Sequence, residues 1–245
     1  MTFELAEDDA VLERRLRIFG VPVALGLAFL LCAFGARFLL RLFFGMWVHE
    51  LGHATAAWLC GYLAFPGPWL TPMSAERSHL FSLVLLVALI FGAVAKPALR
   101  WVFIGLIGLQ IVCTGVLSES AAHQLVLFMG DGGCLLLGTL LMLTLYVRPG
   151  SALHKGWLRW GFLVIGAAAF ADVFSLWWGA RTDPDLIPFG MNEGVGLSDP
   201  SALSDTYGWS AGVLVHRYVV LGSVCLLVLL SSSLLSLRNR AARGE

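Results

Sequence analysis

Long apolar stretches with almost no charge dominate this chain, and they limit what it can fold into. Residues 210–236, for example, contain a single Lys, Arg, Asp or Glu, which is Arg217. About 20 mostly apolar residues are enough for a helix to cross a bilayer. Soluble domains carry about 25% charged residues, whereas this chain has 13% charged and 58% hydrophobic residues. The sequence therefore predicts an all-α fold, namely a polytopic bundle of membrane helices.

The charge balance and the cysteine spacing exclude several other classes of protein. Lys and Arg total 16 and Asp and Glu also total 16, so the chain has no net positive field for a nucleic acid. The high apolar content excludes a disordered chain. The five cysteines include no pair two or three residues apart, which excludes a C-x-x-C redox pair or a zinc knuckle.

The apolar stretches predict about seven spanning helices within one transmembrane domain, residues 18–237. We expect residues 1–17 to form an amphipathic juxtamembrane segment and residues 238–245 a basic cytoplasmic tail. The longest connection, 181–209, is acidic and long enough to cover a site or receive a partner. The predicted spans are 18–36, 41–62, 79–95, 99–118, 124–147, 157–180 and 210–236.

The distribution of Lys and Arg predicts the orientation of these spans. Cytoplasmic loops carry an excess of Lys and Arg. One side of the predicted bundle has five of these residues, and the other has ten, so we expect the N-terminus outside and the C-terminus in the cytoplasm. The absence of a recognisable transit signal favours a bacterial inner membrane. The five are Arg14, Arg15, Arg17, Arg77 and Arg181, and the ten are Arg37, Arg41, Lys96, Arg100, Arg148, Lys155, Arg159, Arg238, Arg240 and Arg243.

The second predicted span contains the segment His49-Glu50-Leu51-Gly52-His53, which has the pattern H-E-x-x-H. Residues four apart share one face of a helix, so both imidazoles can bind one metal ion. Glu50 can then act as a general base on a water molecule at that metal. A charged residue at a bilayer centre costs at least about 2.5 kcal/mol. A metal is the obvious partner for three ionisable groups on one turn, so we predict a metal site here.

A catalytic zinc site takes three protein ligands and leaves one position open. The candidates for the third ligand are the other ionisable residues within predicted spans, namely Asp131, Asp172 and His216. Glycines on both sides of Asp131 allow another backbone to approach closely. Asp172 can equally support an imidazole or make a polar contact with His216 or Arg217, and we favour the polar contact.

The predicted depth in the membrane is consistent with Asp131 as the third metal ligand. His53 lies nine residues from the end of its predicted span, or about 14 Å. Asp131 lies seven residues into an antiparallel span, or about 10 Å. A shared metal ion is therefore geometrically compatible with the predicted topology.

The H-E-L-G-H segment in an apolar helix, followed by Asp131 in a Gly-Asp-Gly-Gly setting, resembles the site-2-protease class of intramembrane zinc metalloproteases. The resemblance covers about a tenth of the chain. It implies that His49, His53 and Asp131 bind Zn²⁺ and that Glu50 is the catalytic base. It also implies cleavage of a membrane-spanning protein substrate within the lipid bilayer.

The chain departs from the better-known members of that class in several ways. Gly130 precedes the Asp, no Asn-x-x-Pro element lies nearby, no PDZ domain is apparent, and two predicted spans separate the motifs where one is usual. Two alternatives to a protease remain open. The chain can be a non-catalytic membrane subunit or assembly factor that retains the metal site, or an ion transporter that uses Asp131, Asp172 and His216 as a relay. The sequence does not indicate an oligomeric state.

Overall fold

A computed structural model describes residues 2–147, 151, 153, 157–192 and 196–241. The fold is all-α, apart from one hairpin of two-residue strands in the described part. The long elements are α1 (Thr2–Ala33), α3 (Met46–Leu59), α4 (His79–Ala95), α5 (Arg100–Gly115), α6 (Glu119–Leu143), α7 (Leu158–Gly179) and α9 (Ala211–Ala241). The short elements are α2 (Arg37–Leu40), β1 (Met191–Asn192), β2 (Gly196–Leu197) and α8 (Asp199–Asp205).

Among the described residues, five helices are long and apolar enough to cross a membrane. Each one overlaps a predicted span, so a membrane protein with several apolar helices is confirmed. The count is lower than the seven spans that we predicted. The five are Val11–Ala33, Pro97–Gly115, Glu119–Tyr146, Leu158–Gly179 and Ala211–Leu237.

The other two predicted spans are helical but short. Helix α4 covers 79–95 as predicted, but its 17 residues lie at the lower limit for a span. The predicted span 41–62 is interrupted because Arg41–Gly45 forms a π-helical turn before the 14 residues of α3. The chain leaves helical conformation after α3 at Gly61, whose φ of +87° favours glycine.

The described residues form two compact units, which we treat separately. The first unit contains Met1–Val48, Asp131–Ile187 and Ser210–Glu245. Its central helix is α7, which packs against α1 and α9. The C-terminal half of α6 approaches α7 closely at two glycines, Gly138 and Gly166. A β-carbon on Gly166 would lie only 2.5 Å from the carbonyl oxygen of Gly138.

The second unit contains His49–Gly130 and Pro188–Trp209. Its core is formed by small and aromatic side chains from α3, α5 and the start of α6. A loop between α3 and α4 folds back in an irregular hairpin with an antiparallel bridge between Ala64 and Met73. The buried members of this core are Ala56, Ala57, Cys60, Tyr62, Cys113, Ala122 and Val126.

The described residues of 188–209, which belong to the predicted long connection 181–209, lie in the second unit. They include the β1–β2 hairpin and α8. Ser198 donates a hydrogen bond to the carbonyl of Pro188 at 2.8 Å, and Trp209 donates one to Gln124 of α6 at 2.7 Å. Leu203 of α8 is fully buried. The segment is therefore part of the folded unit that carries His49 and His53.

Some predictions about the ends and connections concern residues that are only partly described. Residues 2–17 of the predicted juxtamembrane segment form the first half of α1, and residues 238–241 of the predicted basic tail continue α9. The remaining tail residues, 242–245, lie outside the described residues. So do Arg148, Lys155 and Arg243, which we counted for the orientation.

Candidate metal centre

Helix α3 presents the two motif histidines on one face, as their spacing predicts. Their Nε2 atoms lie 3.1 Å apart, and the two rings meet edge to face with centroids 4.7 Å apart. Both residues are buried, with exposed fractions of 8% for His49 and 9% for His53. The α-helical spacing of four residues is what brings the two rings together.

Helix α8 brings a carboxylate to the same point. Oδ2 of Asp199 lies 3.1 Å from Nε2 of His49 and 3.1 Å from Nε2 of His53. Ser198 caps the helix and Pro200 occupies its first turn, so α8 begins at Asp199. The start of this short helix thus fixes the position of the carboxylate. His49, His53 and Asp199 form a group that can hold a metal ion.

The separations of the three atoms fit a metal with an open position. Ligand atoms of a tetrahedral zinc lie about 3.3 Å apart when each is about 2.0–2.1 Å from the metal. The three observed separations are each 3.1 Å. Such distances also suit hydrogen bonds, so either shared protons or one cation can satisfy these atoms. Two nitrogens and one oxygen form the donor set of several catalytic zinc sites.

A hydrogen bond to α6 fixes the orientation of the second imidazole. Nδ1 of His53 lies 2.7 Å from the carbonyl oxygen of Val126. A carbonyl only accepts, so Nδ1 carries the proton and donates it. In the neutral ring Nε2 then keeps its lone pair and directs it toward His49 and Asp199. Ligand histidines in metal proteins usually have such a carbonyl or carboxylate partner.

Gly130 leaves the space that this arrangement needs. A β-carbon built on Gly130 would lie 2.6 Å from Cε1 of His49, 2.6 Å from Nε2 of His53 and 2.7 Å from Oδ2 of Asp199. Any other residue at this position would push these groups apart. The absence of a side chain at Gly130 therefore keeps open the space beside both imidazoles and the carboxylate.

The Asp199 carboxylate is negatively charged at neutral pH. Burial raises the pKa of Asp199, but the neighbouring imidazoles of His53 and His49 lower it by more, so this pKa lies below its ordinary value. An ionised carboxylate beside two imidazoles is an anionic donor set, which favours a cation.

Glu50 follows His49 on α3 and is buried, with 5% of its surface exposed. The hydroxyl of Thr71 lies 2.7 Å from Oε2 of Glu50 and 3.0 Å from its backbone carbonyl oxygen. Thr71 belongs to the loop between α3 and α4, and the sequence alone gives no reason to connect it with Glu50. The side chain that we predicted as the catalytic base thus has a direct hydrogen-bond partner.

The structure places Asp131 in the first unit. Its Oδ1 lies 3.2 Å from Nη1 of Arg41, and its Oδ2 accepts a hydrogen bond from the indole of Trp177 at 2.8 Å. Arg41 lies on the π-helical turn. The group that can hold a metal contains Asp199, and Asp131 as a ligand stays a prediction.

Asp172 is fully buried in the first unit and makes polar contacts, although we expected His216 or Arg217 as its partner. It accepts a hydrogen bond from Nε of Arg37 at 2.8 Å and contacts Nη1 of Arg41 at 3.3 Å. His216 lines a cavity of about 360 Å³ in the same unit, together with Arg181. Arg37 and Arg41, which we counted for the orientation, therefore bind carboxylates.

Sequence reasoning missed Asp199 as a member of the metal-binding group. We recognised it as one of several acidic residues in the long connection, but we sought ligands within the spans. One signal was present: Ser198-Asp199-Pro200 has the pattern of a helix start, with a capping serine and a proline in the first turn. A helix start inside a loop indicates an ordered segment that can position a carboxylate.

The chain matches no family model, and comparison with curated proteins and with solved structures gave no match. The chemistry of the metal centre therefore follows from its own residues and distances.

Proposed function

We propose that this protein is a membrane-embedded zinc metalloendopeptidase that cleaves membrane-spanning protein substrates. The observation that carries the proposal is the convergence of three ligand atoms at 3.1 Å separations, on a helix where a buried glutamate follows the first histidine. Three protein ligands with one position open are typical of catalytic zinc, whereas structural zinc has four. Two imidazole nitrogens and one carboxylate oxygen are the donor set of several catalytic zinc sites, so we take zinc as the metal.

The residues of the chain have separate roles in this proposal. His49, His53 and Asp199 hold the metal, and His53 is oriented by its hydrogen bond to Val126. Zinc held by these three side chains would supply Lewis acidity toward a peptide carbonyl and a water molecule. Glu50 accepts the proton of the attacking water on its carboxylate and then donates it to the nitrogen of the leaving amine.

The substrate class follows from the surroundings of the site. The chain has several apolar helices that suit a bilayer, so a substrate that shares the membrane is the natural partner. A peptide bond inside a helix is shielded by its hydrogen bonds, so the substrate segment must unwind locally before attack. We also propose a bacterial inner membrane with the N-terminus outside, which labelling of a cysteine introduced at residue 3 would test.

The decisive experiment compares the wild-type chain with Glu50→Gln and with a matched control, Glu76→Gln. Glu76 is an exposed residue in the loop between α3 and α4, so its substitution removes a carboxylate without touching the site. We expect wild type and Glu76→Gln to generate the same fragments of membrane proteins in cells. We expect Glu50→Gln to generate none while it still binds about one zinc per chain.

Two results would contradict the proposal. Equal cleavage by wild type and Glu50→Gln would show that Glu50 is not the base. Stoichiometric zinc without any cleavage by the wild-type chain would favour the non-catalytic membrane subunit.

A further inference from the structure

The loop that follows α3 returns to the residue beside the first ligand. Phe65 donates a backbone hydrogen bond to Pro72 at 3.0 Å, and Ser74 donates one to Leu63 at 2.8 Å. The indole of Trp58 on α3 donates to the carbonyl of Ala64 at 2.9 Å. These bonds fix the returning strand of the loop, residues 70–74, against the helix that carries the motif.

Thr71 lies on this returning strand, and its hydroxyl contacts two oxygens of Glu50. The distance to the carboxylate oxygen Oε2 is 2.7 Å, and the distance to the backbone carbonyl oxygen is 3.0 Å. Both oxygens of Glu50 are acceptors, so the threonine hydroxyl is the donor. The shorter distance belongs to the carboxylate, and hydrogen bonds to charged groups are about twice as strong as neutral ones.

We infer that Thr71 is a positioning residue for the catalytic glutamate, an inference that rests on the proposed function. By donating to Oε2, Thr71 holds the carboxylate in one rotamer and leaves Oε1 as the oxygen that accepts the proton from water. A general base must lie within hydrogen-bond distance of the proton that it removes, so a fixed rotamer favours catalysis. The threonine neither binds the metal nor touches the substrate in this role.

Three variants test the inference. Thr71→Val removes the hydroxyl and keeps the shape, whereas Thr71→Ser keeps the hydroxyl. Thr55→Val is the matched control. Thr55 lies on α3, as Glu50 does, and its hydroxyl donates to the carbonyl of Leu51 in the same helix at 2.7 Å. A quenched-fluorescence transmembrane peptide that the wild type cleaves serves as the substrate, and zinc affinity is measured in parallel.

We expect Thr71→Val to lower kcat about 10- to 100-fold, the range typical for partners of active-site groups. KM and zinc affinity should stay within about twofold of wild type, and Thr71→Ser should restore most of kcat. Equal kcat for Thr71→Val and Thr55→Val would overturn the inference, as would a fall in zinc affinity that accounts for the lost activity.

A second measurement does not depend on activity or on the metal. Subtracting the infrared spectrum of Glu50→Gln from that of the wild type isolates the carboxylate band of Glu50. We expect Thr71→Val to shift this band and Thr55→Val to leave it unchanged, and an unshifted band would overturn the inference. If Glu50→Gln retains full activity, the proposed function fails, whereas an unshifted band with an inactive Glu50→Gln refutes only the role of Thr71.

Discussion

The carboxylate–arginine cluster of the first unit and the imidazole–carboxylate cluster of the second unit differ in what balances their charge. In the first unit, two carboxylates meet two guanidinium groups, so the cluster is neutral by itself. Asp172 contacts both Arg37 and Arg41, and Asp131 contacts Arg41. Each carboxylate has a cationic donor from the same chain, and the cluster needs no further ion.

In the second unit, one ionised carboxylate meets two imidazoles. Lone-pair atoms of His49, His53 and Asp199 converge within 3.1 Å of one another. An arginine always carries its own protons and charge, whereas an imidazole becomes cationic only by taking up a proton. The partner of each carboxylate therefore makes the difference: arginines complete an ion network by themselves, whereas neutral imidazoles leave lone pairs that can bind a metal ion.

The largest effect that we expect comes from breaking the neutral network. Asp172→Ala leaves two guanidinium groups without their shared carboxylate, and removal of one partner from a buried ion pair costs about 3–5 kcal/mol. The free energy of unfolding in detergent should fall by this amount. Zinc affinity of the folded fraction should match that of wild type. A parallel loss of zinc affinity would contradict the functional separation of the two clusters.

The second effect concerns the metal itself. Asp199→Asn, like His49→Ala or His53→Ala, should lower zinc affinity more than about 100-fold, because even partners of ligands are worth about 10- to 100-fold. Asp131→Asn is the matched variant in the other cluster, and we expect it to retain zinc. Equilibrium competition with a zinc chelator measures the zinc affinity of each variant. Retained zinc in Asp199→Asn with zinc lost in Asp131→Asn would identify Asp131 as the ligand that the resemblance implies.

The third effect comes from filling the space at Gly130. The methyl group of Gly130→Ala would meet both imidazoles and the Asp199 carboxylate at 2.6–2.7 Å, so the ligand atoms must separate. We expect zinc affinity to fall about 10-fold or more, comparable to the loss of a ligand's partner. The control is Gly108→Ala on α5, where a β-carbon meets nothing within 4 Å. Equal affinities for the two variants would show that the site adapts freely.

The smallest effect concerns the cap that positions Asp199. Ser198 accepts a hydrogen bond from the backbone of Ser201, and loss of a capping serine costs about 1 kcal/mol. If that energy is transferred to metal binding, Ser198→Ala lowers zinc affinity about fivefold. Ser78→Ala removes the equivalent cap of α4, at Phe81, and should leave zinc affinity unchanged. An equal fall in zinc affinity for Ser198→Ala and Ser78→Ala would indicate general destabilisation of the protein.

The sequence predicted most of the helices because their signal is local. Apolar runs, with glycine, proline and charged residues at their ends, located α4 at 79–95 and α7 within a residue or two of its observed bounds. The failure lies at 41–62, where an apolar run conceals a π-helical turn. Hydropathy does not distinguish a π turn from an α turn, because it depends on residue composition and not on the backbone hydrogen-bond pattern.

The site was predictable only in the part that is local along the chain. The spacing of His49 and His53 determines their common face, and a histidine pair four residues apart on a helix is itself a signal. Asp199 lies far from both in sequence and belongs to a short helix in a polar segment. Its position depends on the packing of that segment, including the bond from Trp209 to Gln124, and no pattern in one sequence encodes such a contact.

The metal centre joins three separate stretches of the second unit: α3 supplies the imidazoles, α6 supplies the carbonyl of Val126, and α8 supplies Asp199. Whatever binds there stabilises the folded arrangement of all three by mass action. If a metal ion binds there, as we propose, its supply would also determine how firmly α8 is anchored. Chelation would then loosen the segment that ends at Trp209 and make it more susceptible to added protease.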